Sequence, residues 1–159
     1  MTGLVLAAAG RGSRFASGSE NSQDPSTYEN KIWAPLGQRP LLEWTLEAFQ
    51  THPEVDAIVL VGAAGELNRL RMIAEAFSKV SAIVRGGGSR AESVGNGLRA
   101  LPPECEIALV HDAARPAVSA ALISRVVEGV RRYGAAVPGL PVSDTIKRVD
   151  GGERVRETI

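Results

Sequence analysis

The chain has 159 residues, 44% hydrophobic and 23% charged, and its 18 basic and 18 acidic side chains give a formal net charge of zero. That length is enough to bury a core as one domain. The balanced charge excludes a general nucleic-acid or membrane-surface binder, since both need a basic surplus. The single cysteine, Cys105, excludes an internal disulfide and a cysteine-rich metal site, and no apolar run approaches the roughly 20 residues that span a bilayer.

The first apolar segment, Leu4 to Ala9, is too short for a signal-peptide core and runs straight into a glycine loop. No targeting leader is expected, and the lone cysteine suits a reducing compartment, so the expected location is cytoplasmic.

In chain order, Leu4–Ala8 reads as a buried strand. Residues 17–30 (SGSENSQDPSTYEN) carry almost no apolar content and read as a mobile polar loop. Leu41–Gln50 follows as a helix with Leu42, Leu46 and Phe49 on one face, and Val55–Val61 is a continuous apolar strand of the kind buried on both sides. Glu66–Phe77 has a helical stripe of Leu67, Leu70, Ala74 and Phe77, and Val80–Val84 is the next strand.

Ser89, with Glu92 three residues on, has the pattern of a capping box. Ala91, Val94, Leu98 and Leu101 are expected to form the inner face of the helix it starts. Ile107–Val110 is a strand, and Ser119 caps a helix over 120–132 faced by Ile123, Val126, Val127 and Val130. Ala135–Val137 reads as another short strand. Val142–Val149 and Glu153–Ile159, joined by Asp150-Gly-Gly, read as a β-hairpin. The alternation predicts an α/β domain over 1–141 with a doubly wound, mostly parallel sheet, and a hairpin arm over 142–159.

Four segments carry candidate chemistry, three of them at strand ends. Leu6-Ala-Ala-Ala-Gly10-Arg-Gly12-Ser-Arg14 follows the first strand, where Gly10 and Gly12 let the backbone approach phosphate oxygens and Ala7–Ala9 leave space for a flat base. Arg14 adds fixed charge; neither the dinucleotide fingerprint nor the Walker pattern is present. Lys31, one of three lysines against fifteen arginines, lies between the polar loop and a Pro/Gly segment.

Gly86-Gly87-Gly88 leads into Arg90 and Ser93 on the first turn of a helix, near its positive end; the plainer reading is a flexible connector before a well-capped helix. In His111-Asp112-Ala-Ala-Arg115-Pro116, Asp112 suits Mg²⁺ and Arg115 suits an anionic second substrate; the alternative is a structural Asp112–Arg115 ion pair with His111 packed at the sheet edge. His52 and His111 have no metal-ligand company, and no serine or cysteine has a matching base.

Read together, LAAAGRGSR, the lysine before APLGQRPLLEWTLEAF, GGGSRAESVGNGL, VHDAARP and AAVPGLPVSDTIK resemble, in order and over nearly the whole chain, the methylerythritol-phosphate cytidylyltransferase family. The resemblance implies a Rossmann-like nucleotidyltransferase fold and a reaction of CTP with 2-C-methyl-D-erythritol 4-phosphate, a sugar-alcohol phosphate. Ala8, Ala9, Gly10, Gly12, Gly86, Gly87, Arg90 and Ser93 would then surround the nucleotide. Arg14 and Lys31 would be catalytic through the phosphates, Asp112 would bind Mg²⁺, and Arg115 and Thr145 would face the sugar phosphate.

The family continues beyond the position of Ile159, so the chain is expected to be C-terminally truncated, and its hairpin resembles the start of a dimerisation arm, which implies a homodimer. A ribitol-phosphate or other sugar-phosphate nucleotidyltransferase is the nearest alternative. A non-catalytic nucleotide-binding or oligomerisation module is the alternative from another class.

Overall fold

Long apolar runs with no polar alternation need cover on both faces, and two such runs form the middle of the sheet. A computed structural model describes residues 1–10, 30–151 and 154–159. In chain order its elements are β1 (Thr2–Ala7), a 3-10 turn at Lys31–Trp33, β2 (Pro35–Leu36), β3 (Arg39–Pro40), α1 (Leu41–Gln50), β4 (Ala57–Gly62), a 3-10 turn at Ala64–Glu66 and α2 (Leu67–Ala74). These are followed by β5 (Val80–Arg85), α3 (Arg90–Arg99), β6 (Ile107–Asp112), α4 (Ala120–Tyr133), β7 (Lys147–Val149) and β8 (Val155–Thr158).

The main sheet is ordered β5-β4-β1-β6 and is parallel throughout. Leu4, Leu6, Ile58 and Leu60 pack with Leu42, Leu46, Leu70, Ile123 and Val127, which puts α1, α2 and α4 on one face. Val5, Val59 and Val61 turn to the other face, against Ala82, Val84, Ala100 and Leu101, beneath α3. Helices on both faces make the sheet doubly wound, as the alternation of elements predicts. The chain runs from β1 to β4 and β5 on one side, then returns across the sheet to β6 on the other. The order therefore reverses beside β1, where open α/β sheets bind ligands at their C-terminal edge.

The inner face of α3 differs from expectation. Ala91 and Leu98 are exposed, and the buried residues of the helix are Ser93 and Gly97. A Cβ on Gly97 would stand 2.4 Å from Val5 Cγ1, so the helix lies too close to the sheet for a larger side chain. Close approach, rather than apolar volume, selects the residues facing inward.

The expected strand at Ala135–Val137 is absent. Gly134 ends α4 in the left-handed region (φ 82°), and Ala136 lies back against Gly129 of the helix instead of pairing with β6. Pro138 and Pro141 just beyond have no N–H to donate to a ladder, which disfavours a strand there.

The expected Glu66–Phe77 helix is shorter, with Leu67–Ala74 helical behind a 3-10 turn. The hairpin forms with β7 and β8 antiparallel, in a two-stranded sheet of their own, but its first strand is Lys147–Val149 alone and the expected stretch from Val142 to Ile146 is not strand. Among the described residues no helix is long and apolar enough to cross a membrane. Of the polar loop, 17–29 lie outside the described residues, and Asn30 is buried.

Candidate functional site

β1 ends at the reversal point, and its last backbone groups are fixed to three neighbours. The Ala7 carbonyl accepts from Ala113 N–H (3.0 Å), the Ala8 N–H donates to Val61 O (2.8 Å), and the Ala8 carbonyl accepts from Asn30 Nδ2 (3.1 Å). Ala8 is buried, Ala9 half-buried, and Gly10 exposed with open space around its Cα. Gly12 and Arg14 lie outside the described residues.

The Gly86–Gly88 turn is pinned beside this first turn. Gly86 N–H donates to Gly62 O (2.9 Å), and a Cβ at Gly86 would meet Ala9 Cβ at 2.6 Å and Ser93 Oγ at 2.9 Å. Only glycine lets the two loops touch there. Ser93 Oγ accepts from Gly87 N–H (3.0 Å) and donates to Ser89 O (2.8 Å), and Glu92 Oε2 accepts from Gly88 N–H (2.7 Å). The expected cap of α3 is present, with Ser89 Oγ accepting from Glu92 N–H at 3.1 Å. Ser93 thus lies within the loop's own bonding, and the loop is held by more than its glycines.

On the other side of β1, Ala7 is in register with Asp112 at the end of β6. Asp112 pairs with Arg90 Nη1 (2.5 Å) through Oδ1 and with Arg115 Nε (2.8 Å) through Oδ2. Partial burial pushes the carboxyl's pKa up, but hydrogen bonds and charge from Arg90 and Arg115 outweigh it and hold it below the usual range. The Asp112–Arg115 pair foreseen as the structural alternative does form, and His111 packs on Phe49 (ring centroids 5.0 Å apart) with Nε2 at 3.0 Å from Arg115 O. The contact that sequence spacing did not reveal is Arg90–Asp112, which joins the start of α3 to the end of β6.

Lys31 is exposed on its 3-10 turn, and among the described residues none pairs with its ammonium. The turn runs into the small β2–β3 ladder, whose bend uses Gly37 at φ 66°. Thr145 is exposed, ahead of β7, and joins none of these contacts. Sequence reasoning missed Asn30, Trp33 and Glu66, which tie the Lys31 turn to the ends of β1 and β4. The only signal was a capping-type Asn at the rim of a polar stretch.

A groove of about 900 Å³ touches this cluster through Arg90, Asp112 and Arg115, then runs along β6 and α4 past Leu109, Ile123 and Val126. Among the described residues, none of the glycines of the two turns lines it. The polar cluster over the strand ends, rather than the apolar length of the groove, has groups suited to a charged ligand. Among the described residues no three His, Cys, Asp or Glu side chains gather to hold a metal by themselves.

A parallel α/β sheet with two interlocked glycine turns and an acidic strand end at its reversal point places this protein among the α/β nucleotidyltransferases. Its sequence and backbone narrow that class. The chain belongs to the 2-C-methyl-D-erythritol 4-phosphate cytidylyltransferase (IspD) family, which it matches over residues 2–159.

It is similar to the 2-C-methyl-D-erythritol 4-phosphate cytidylyltransferase of Clostridium tetani, 34% identical over 157 residues, covering 98% of this chain and 59% of that protein. The Prochlorococcus marinus enzyme of the same name is 40% identical over 151 residues, covering 93% of this chain and 61% of that protein. The crystal structure of 4-diphosphocytidyl-2C-methyl-D-erythritol synthase from Anaerococcus prevotii superposes with a TM-score of 0.84 at 26% identity, covering 100% of this chain and 64% of that one. The chain thus spans 59–61% of the length of these curated relatives.

Proposed function

We propose that this chain carries the nucleotide site of a cytidylyltransferase that joins CTP to 2-C-methyl-D-erythritol 4-phosphate. The observation that carries the reading is the meeting of the Ala8–Gly10 turn, the Gly86–Gly88 turn and Asp112 at neighbouring strand ends. A phosphate oxygen of the second substrate attacks the α-phosphorus of CTP; a new P–O bond forms, and the α–β bridge bond breaks to release pyrophosphate. No covalent enzyme intermediate is needed, so the protein's task is alignment and placement of positive charge.

In this reading Ala8, Ala9, Gly10, Gly86, Gly87 and Ser93 shape the space for base and ribose, and Arg90 reaches the nucleotide from the start of α3. Lys31 brings a positive charge that none of the described residues pairs with to the phosphates, joined by Arg14. Arg115 and Thr145 take the sugar phosphate.

Asp112 fits Mg²⁺. It is ionised, each oxygen bonded to a guanidinium keeps a further lone pair, and this ion ordinarily takes one or two carboxylates with substrate phosphates and water. When bound, the ion would neutralise phosphate charge and offset the Asp112 carboxylate, leaving Arg90 and Arg115 better able to meet anions. The reaction in a homodimer joined through the hairpin arm, and a cytoplasmic location, complete the reading.

The test is thermal melting of this chain with each nucleoside triphosphate, with and without Mg²⁺, because a ligand bound only by the folded state raises its stability. A Mg²⁺-dependent rise specific to CTP is expected, followed by pyrophosphate release when methylerythritol phosphate is added. No shift with any nucleotide overturns the reading.

A further inference from the structure

The turn carrying Lys31 is held by a carboxylate from another part of the chain. Glu66, on the 3-10 turn after β4, accepts from Trp33 Nε1 through Oε1 (2.7 Å) and from Asn30 Nδ2 through Oε2 (3.0 Å). Lys31 lies between those two residues in sequence. Asn30 Nδ2 also donates to Ala8 O (3.1 Å), and Asn30 Oδ1 accepts from Ile32 N–H (3.3 Å). The turn closes on itself through Trp33 N–H to Asn30 O (3.1 Å), and the Arg69 guanidinium covers the Trp33 ring at 3.9 Å. Asn30 and Trp33 are both buried.

The chemistry of this clamp is particular. Both partners of Glu66 are N–H donors, so the side chain must offer two acceptors at once, which a carboxylate does and an amide does not. Asn30 cannot be reversed to suit an amide, because its oxygen is needed by Ile32 N–H and its nitrogen by Ala8 O. We propose that Glu66 is a positioning residue: through Asn30 and Trp33 it fixes the Lys31 backbone to the Ala8 carbonyl, and so sets the place of the Lys31 ammonium over the nucleotide turn. This rests on the reading of Lys31 as a phosphate-facing charge, and it adds the group that aims it. Glu66 itself touches no substrate.

The test uses the whole chain with Trp44→Phe, which leaves Trp33 as the one remaining indole of two. Glu66→Gln, Lys31→Ala and the double variant are compared by kcat and KM for CTP-dependent pyrophosphate release. Misplacing a charged group by a fraction of its reach can cost about tenfold to a hundredfold in rate. Glu66→Gln is therefore expected to lower kcat by about tenfold or more, with little change in the KM for CTP, and Glu66→Asp to recover part of the loss. In the Lys31→Ala background Glu66→Gln should add less than about twofold, because two residues that act through one group do not add their effects.

A full repeat of the loss in that background overturns the proposal, because Glu66 would then act by another route. A second readout does not depend on turnover. The three lysines, reductively methylated with ¹³C, are assigned by Lys→Arg replacement. The Lys31 resonance and the Trp33 emission should both move in Glu66→Gln and stay in place in Glu75→Gln, at an exposed carboxylate beyond α2. If wild-type protein releases no pyrophosphate, the cytidylyltransferase reading fails and the resonance alone decides. An unmoved Lys31 resonance then refutes the positioning role.

Discussion

Two glycines of α3, two residues apart, should respond to alanine with opposite signs. At Gly97 an added Cβ would stand 2.4 Å from Val5 Cγ1 and 2.8 Å from Val61 Cγ2. Both valines are fully buried at the centre of the sheet, and β-branched side chains have little χ1 freedom with which to move aside. The helix must lift or the strands must part. Overpacking of this kind costs about 1–3 kcal/mol, and contacts this short belong in the upper part of that range. Alanine in a helix interior returns about 1 kcal/mol relative to glycine. Gly97→Ala is thus expected to destabilise by about 1–2 kcal/mol, which at this chain length lowers the melting temperature by about 2–8 °C.

At Gly95 the nearest atom to an added Cβ is Arg99 Nη2 at 3.5 Å, an ordinary contact with a flexible tip. The propensity gain then stands nearly alone, and Gly95→Ala should raise the melting temperature by about 2–4 °C. Melting followed by far-UV circular dichroism, with urea midpoints as a check, compares the two directly. If Gly97→Ala melts at or above wild type, α3 does not lie close over Val5 and Val61, and the account of its inner face is wrong.

Other outcomes follow from the same contacts. Ser93→Ala takes the acceptor from the N–H of Gly87, an exposed residue that water can reach, and should cost about 0.5–1.5 kcal/mol; it should also weaken CTP-dependent stabilisation, and an unchanged melt and an unchanged CTP shift would refute the loop-holding role. Asp112 has a folded pKa below its unfolded one. Its contribution is therefore complete above about pH 4 and lost as pH falls through the folded value, so Asp112→Asn should flatten the acid limb of melting temperature against pH, and superimposable limbs would count against the ion pairs. Val149 and Val155 face each other across the hairpin and are 56% and 58% exposed; if the arm joins two copies, Val149→Asp with Val155→Asp should convert a dimer to a monomer in sedimentation equilibrium, and an unaltered mass would place the interface elsewhere.

The four strands of the main sheet and three of the helix faces were legible because their cause is local. An apolar run such as Ala57–Gly62 needs two covered faces wherever it sits, and Leu42, Leu46 and Phe49 share a helix side by spacing alone. The α3 face was not legible, because its selection of Ser93 and Gly97 depends on the distance to a strand far away in sequence. The same limit applied to the site. Glycine turns and the His-Asp-Ala-Ala-Arg segment announce themselves, but Arg90 reaching Asp112 spans 22 positions and Asn30 reaching Glu66 spans 36. A short strand was expected at Ala135–Val137 from apolar content, and the prolines that follow carried the contrary signal.

These contacts also explain why the strand ends can act as a rigid template. Ala8 is bonded through its N–H to Val61 and through its carbonyl to Asn30, and Gly86 is bonded to Gly62 and packed on Ala9. Turns tied in this way to β4, to Asn30 and to each other cannot swing towards a ligand, so on the proposed reading the cost of ordering them is met in folding rather than in nucleotide binding. The charged groups are arranged differently. Arg90 and Arg115 are largely exposed at their tips and are held by one carboxylate, so they can exchange Asp112 for a phosphate at little cost in packing. On the proposed reading, the fixed part of the site is backbone and small side chains, which would suit a flat base and ribose, while its adjustable part is a set of ion pairs, which would suit phosphates whose charge moves during the reaction. Loosening the first should raise KM for the nucleotide, and neutralising the second should chiefly lower kcat.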